Sequence, residues 1–183
     1  MGNFKVLGRN KVLEAHAFDV EQVHYELPDG RRRTYDLVDH ANAVTLVAVN
    51  SDWEIFFVRQ YRVGAEDILL ELPAGILDDD EKPELAARRE LREEIGMNAA
   101  TLKEIGGFYM TAGYSNEFMT VFLATDLKYA PLDADEDEFL EVERIPCSTT
   151  YEMAHRGLIR DGKSLTALFL AHPYLMNGEG AFQ

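Results

Sequence analysis

The chain has 183 residues, 46% of them hydrophobic and 10% aromatic, with 33 Asp plus Glu against 18 Lys plus Arg and a formal net charge of −15. That apolar content excludes disordered and collagen-like architectures and supplies a core for one compact unit with at most a small appendage. The acidic excess repels polyanions, so neither nucleic acid nor an anionic membrane is an expected partner, and a small anionic ligand needs a cation to mediate it.

In chain order, Val23–Leu27 and Arg31–Tyr35 flank Pro28-Asp29-Gly30, a hairpin signature, and residues 1–40 read as a small N-terminal antiparallel β subdomain. The apolar runs Ala43–Val49 and Trp53–Val58, joined by Asn50-Ser51-Asp52, predict two buried strands that open the main domain, 41–183. Leu69–Leu72 predicts another strand. Pro83 at a first helical turn and Gly96 past a last one bracket a helix through Ile95. Phe118–Leu123 is strand-like, and the acidic stretch Leu132–Glu138 reads as a solvated loop. The tail predicts a helix capped near Thr149, with Glu152 three residues on, and a second over Ser164–Tyr174 with Leu165, Leu168 and Phe169 on one face. Strands and helices therefore intermix in one α+β unit behind the N-terminal sheet.

The cysteine and the terminus add little chemistry. Cys147 is the single cysteine, it lacks a nearby His, and it is expected to be an inert thiol in a cytoplasmic protein. Met1–Val6 lacks the apolar core of a signal peptide, and no run approaches the ~18 apolar residues that span a bilayer.

The chemistry concentrates in the helix between Pro83 and Gly96. At 100° per residue Ala87, Leu91 and Ile95 form one stripe, while Glu90, Glu93 and Glu94 lie together beside it. Like charges at i,i+3 and i,i+4 destabilise a helix, and a hard divalent cation removes that penalty. On these three residues alone, a solvated acidic face is the more ordinary reading. The wider spacing overturns it: Gly75, five residues, Glu81, seven residues, Arg89-Glu90-Leu91, one residue, Glu93-Glu94, one residue, Gly96-Met97.

That pattern resembles the Nudix box at every fixed position. The resemblance implies a Nudix-type α/β/α sandwich with a mixed sheet and Mg²⁺-dependent hydrolysis of a nucleoside diphosphate linked to a further group, with Mn²⁺ able to substitute. Arg59-Gln60-Tyr61-Arg62, Glu71-Leu72-Pro73-Ala74-Gly75, Thr111–Glu117 and the acidic loop are similar to the branch that hydrolyses ADP-ribose and nucleoside diphosphate sugars. By position, Glu90 and Glu94 match the family's metal-binding carboxylates, Ala74 the residue that gives a backbone carbonyl, Glu93 a further ligand at the catalytic centre and Glu138 a ligand from the acidic loop. Glu136 matches the branch's general base, with Asp135 or Asp137 as alternatives. Arg62 matches a phosphate-gripping residue, Arg89 a residue that orients the box glutamates, and Glu117 one that reaches a ribose hydroxyl. Glu81 stands just ahead of the helix, where a structural role at its positive end is an equal reading. Arg32, Arg33 and Tyr35 are candidates for the nucleobase end, and the N-terminal sheet is expected to join two subunits in a homodimer. One position departs: sixteen residues past Gly96, where ADP-ribose-specific members usually carry Pro, stands Ala112. That departure loosens strict ADP-ribose specificity: ADP-ribose leads as substrate, with GDP-mannose or broad nucleotide-sugar hydrolysis as the alternative and a ligand-sensing module without catalysis as the non-enzyme reading.

Overall fold

A computed structural model describes residues 2–133 and 139–175. Thirteen elements follow one another: β1 Lys5–Glu14, β2 Asp19–Glu26, β3 Arg32–Asp39, β4 Ala43–Ala48, β5 Glu54–Arg62, β6 Asp67–Glu71, β7 Ala74–Ile76, α1 Pro83–Glu94, β8 Met97–Tyr109, β9 Phe118–Tyr129, β10 Glu141–Pro146, α2 Cys147–His155 and α3 Gly162–Leu175. Contact density divides them into two compact units, Met1–Asn42 with Phe108–Phe118, and Ala43–Gly107 with Met119–Gln183.

The first unit is built on the antiparallel sheet β1-β2-β3. Its β2/β3 hairpin pairs without interruption from Asp19↔Asp39 to Glu26↔Arg32. Gly30 closes the turn at φ 83°, a left-handed conformation that favours glycine. The Leu27 N–H donates to the Arg31 carbonyl and the Gly30 N–H to the Leu27 carbonyl, at 2.8 and 2.9 Å. All ten residues of β1 are exposed, so the strand has no inward apolar stripe and left no periodic signal in the sequence.

The second unit holds the main core. Its four-stranded sheet has the order β7-β4-β9-β8 and a second sheet the order β10-β5-β6. β4 runs parallel to β9 and antiparallel to β7, so the sheet is mixed and the fold is α+β as expected. Every residue of β4 is buried, and both α1 and α3 pack against it. A strand covered on both faces reads as an unbroken apolar run, which is how Ala43–Val49 reads. Val44, Leu46 and Ala48 alternate toward a cluster with Ala86, Ala87, Leu91 and Ile95 of the α1 segment and with Phe56, Val58 and Phe122. The stripe predicted for this helix is thus its buried face.

Two helical details differ from expectation. α2 starts at Cys147 with Pro146 as its N-cap and no side-chain cap bond. The fixed φ of proline suits a helix start better than the Thr149 hydroxyl three residues on. In α3 the buried residues are Lys163, Ser164, Ala167, Leu168, Ala171 and Leu175, while Phe169 is 76% exposed. Among the described residues, no helix is long and apolar enough to cross a membrane.

Candidate active site

The box lies in the second unit and is assembled from β7, the loop after it and α1. The closest approach is at Gly75, where a Cβ would sit 1.8 Å from Glu90 Oε1 and 2.1 Å from its carboxyl carbon. Only glycine lets a helical glutamate press this near the strand backbone. One residue earlier, the Ala74 N–H donates to Glu94 Oε2 at 3.0 Å. Glu90 and Glu94 are buried, at 7% and 6% exposure. Desolvating two neighbouring carboxylates is costly, and it persists only where positive charge or donors compensate.

Arg89 supplies much of that compensation. Its Nη1 donates to Glu90 Oε1 at 2.6 Å and to Glu93 Oε2 at 3.0 Å. Its Nε and Nη2 take the two Glu81 oxygens at 3.3 and 2.9 Å, and Nη2 also reaches the Ile76 carbonyl at 3.0 Å. A planar five-donor fork can serve three carboxylates at once in a way an ammonium cannot. The bonds to Glu81, with the charge of Glu90 and the bonds to Glu93 and Glu90, raise the guanidinium pKa despite partial burial. The same bonds, with one from the Asp78 N–H, hold the Glu81 carboxyl below its ordinary value.

A second ionic cluster borders the first. Arg62 forks onto Glu71 through Nε and Nη2 at 2.8 and 2.7 Å, and the Glu71 carboxylate is 1% exposed. Lys163, also buried, donates to Glu71 Oε2 and to Asp161 Oδ2. Burial pushes the Glu71 carboxyl up, but the bonds from Arg62 and the charge of Lys163 outweigh it and hold it low. Arg62 is raised chiefly by its bond to Glu71, and the field of Glu94 adds to the shift, so the two clusters are coupled.

The remaining candidates belong to other segments of the chain. In the first unit, Arg33 Nη1 donates to the Arg32 carbonyl at 3.0 Å, and the Tyr35 hydroxyl donates to the Gly113 carbonyl. Glu117 donates its N–H to Ser115 Oγ at 3.1 Å. Glu136 and Glu138 lie outside the described residues. Cys147 is 2% exposed, and burial pushes its thiol up to about 11, which makes it a poor nucleophile at neutral pH.

Among the described residues no three acidic, imidazole or thiol side chains stand ready as a cage for a metal. The donor chemistry nevertheless fits a hard divalent cation: buried glutamate oxygens, a backbone segment beside them, and a glycine that admits Glu90 to it. The sequence singles out neither Asp161, Lys163 nor Ser164, and Glu71 only within Glu71–Gly75. Their one signal is a glutamate inside the apolar run Leu69-Leu70-Glu71-Leu72, which demands a buried cation that spacing alone does not locate.

Comparison with known proteins gives the same family. The family model of the NUDIX domain matches residues 39–168. The chain is 32% identical over 166 residues to the ADP-ribose pyrophosphatase of Bacillus subtilis (strain 168), covering 90% of each protein. It is 31% identical over 177 residues to the ADP compounds hydrolase NudE of Escherichia coli (strain K12), covering 96% of this chain and 94% of that one. It is 35% identical over 178 residues to the GDP-mannose pyrophosphatase of Salmonella arizonae (strain ATCC BAA-731 / CDC346-86 / RSK2980), covering 90% and 93%. A crystal structure of an ADP compounds hydrolase superposes with a TM-score of 0.84 at 28% identity, covering 97% of this chain and 96% of that one. The box geometry, the fold around it and these likenesses agree: the chain belongs to the Nudix hydrolase family.

Proposed function

We propose that the protein hydrolyses the diphosphate linkage of nucleoside diphosphate sugars in a Mg²⁺-dependent reaction, with Mn²⁺ able to substitute, and that ADP-ribose, cleaved to AMP and ribose 5-phosphate, is its leading substrate. The observation that carries this reading is the pair of buried carboxylates, Glu90 and Glu94, set against Ala74 and Gly75 and flanked by Arg89 and Arg62. GDP-mannose or broad nucleotide-sugar hydrolysis is the second reading. It is favoured by Ala112 at the position where ADP-ribose-specific members usually carry Pro, and by the likeness to a GDP-mannose pyrophosphatase.

Nudix hydrolases generally use divalent metal ions. Glu90, Glu93, Glu94, Glu138 and the Ala74 carbonyl are the groups that would hold them. Bound there, such ions would neutralise charge on the leaving phosphate and acidify the attacking water. The remaining work falls to the chain. Glu136 takes the proton from water, with Asp135 or Asp137 as alternatives. Arg62 draws in the diphosphate, and Arg89 keeps Glu81, Glu90 and Glu93 in place. Glu117 binds a ribose hydroxyl, and Arg33 and Tyr35 bind the nucleobase end.

We also read the protein as a cytoplasmic homodimer, with residues 1–40 forming the subunit contact and 41–183 the catalytic domain. Support comes from β1, whose flank and surface expose Phe4 at 61%, Val6 at 57%, Val12 at 55% and Leu13 at 54%. Apolar side chains so grouped on an edge strand fit an interface better than open solvent.

Product identification on ADP-ribose, GDP-mannose, UDP-glucose and free nucleoside triphosphates with Mg²⁺ tests the reading. The highest kcat/KM is expected on ADP-ribose, with AMP and ribose 5-phosphate as products and no turnover in EDTA. Undiminished turnover in chelator would remove the metal requirement, and a preference for GDP-mannose would select the second reading.

A further inference from the structure

Glu71 is an unusual residue for its place. It ends β6 between two apolar leucines, is 1% exposed, and is met by two cations from different elements. Arg62 comes from β5 and keeps its side chain 42% exposed, whereas the Lys163 side chain, in the first turn of α3, is 8% exposed. Arg62 uses its Nε and Nη2 for Glu71, which turns the Nη1 edge of the guanidinium away from the buried carboxylate. Lys163 is itself held, donating to Asp161 Oδ2 at 3.0 Å. That same oxygen accepts the Ser164 N–H at 3.0 Å and the Ser164 hydroxyl at 2.6 Å. Ser164 Oγ in turn accepts the Leu72 N–H at 2.7 Å. The first turn of α3 is therefore fastened to Glu71 and Leu72, directly before Pro73-Ala74-Gly75.

We propose that Lys163 is a positioning residue for Arg62, acting through the buried carboxylate of Glu71. The four charges, Arg62, Lys163, Glu71 and Asp161, sum to zero. Removing Lys163 leaves a net negative cluster beside Glu94, which draws Arg62 inward and opposes an approaching diphosphate. Lys163 does not itself meet the substrate, because its ammonium is buried and committed to two carboxylates. The inference rests on the reading above that Arg62 meets the diphosphate.

The test is a double-mutant cycle on the full chain with saturating Mg²⁺, comparing wild type, Lys163→Met, Arg62→Gln and the double variant. Hydrogen bonds between ionised groups are the strong class, so Lys163→Met is expected to raise KM for ADP-ribose about 10-fold, with the smaller effect on kcat. In the Arg62→Gln background the same change should leave KM where it is, and Lys163→Arg should restore KM in the native background. A second tenfold rise in the Arg62→Gln background overturns the proposal, because Lys163 then acts on substrate directly. A lowered melting temperature with unchanged KM overturns it as well. If Lys163→Met fails to fold, Lys163→Gln, which keeps a donor toward Glu71 without the charge, takes its place in the cycle. The ¹⁵Nε resonance of Arg62 in the ligand-free protein is independent of any substrate: it should move on Lys163→Met. An unmoved resonance overturns the coupling, whereas a moved resonance in a protein inactive on every nucleotide sugar upholds it and rejects the assigned activity.

Discussion

At Gly75 the absence of a side chain is a steric requirement. A methyl there would occupy the volume of the Glu90 carboxyl, 1.8 Å from Oε1, so Gly75→Ala must displace either the helix or the glutamate. The expected outcome is a fall in kcat of about 100-fold or more with a raised Mg²⁺ requirement, read by initial rates over a metal titration. Glu94→Gln is a gentler probe, since the amide oxygen can still accept the Ala74 N–H while the charge is gone. Its activity should fall by a similar factor with little change in melting temperature. An unchanged kcat in that variant would make the carboxylate cluster structural.

α1 joins its apolar face to the core and its acidic face to Arg89, yet it begins poorly. Lys82 is the N-cap, at φ −78° and ψ 140°, and makes no side-chain cap bond. It also places a positive charge at the positive end of the helix dipole. Lys82→Ser should therefore raise stability by about 0.5–1 kcal/mol, measurable as a shift of the denaturation midpoint at constant slope. Much of this element could be read beforehand. Pro83, Gly96 and the Ala87, Leu91, Ile95 stripe act within one helix, where spacing translates directly into geometry. β1 and β8 could not be read that way, because β1 buries no residue and β8 mixes buried and exposed positions without a clean alternation. The Glu71–Lys163 pair was equally hidden, since its partners belong to β6 and α3 and meet only in the folded chain.

For the whole molecule, the acid limb of stability should carry the signature of these ion pairs. Glu71 and Glu81 are held below their ordinary value of 4.5. The unfolded chain therefore binds more protons than the native one in that window, and stability rises with pH through it. Their contribution is complete above about pH 4.5 and is lost as pH falls through the lower native values. Urea midpoints measured from pH 6 downward should drop less steeply for Glu71→Gln than for the native chain. Assembly is the second property at this scale. Light scattering at micromolar concentration should return twice 20.7 kDa, and a value near 20.7 kDa would withdraw the dimer together with the interface assigned to β1.

The parallel partnership of β4 and β9 also bears on how the protein is made. Ala43 pairs with Met119 and Ala48 with Ala124, so the most apolar strand of the chain leaves the ribosome long before the strand that completes its sheet. Until then its backbone edge can be protected only by transient contacts. Long-range parallel pairing is slow because a large loop must close first. Refolding should accordingly be limited by formation of this pair, and aggregation during synthesis should fall when a chaperone covers β4 until β9 has emerged.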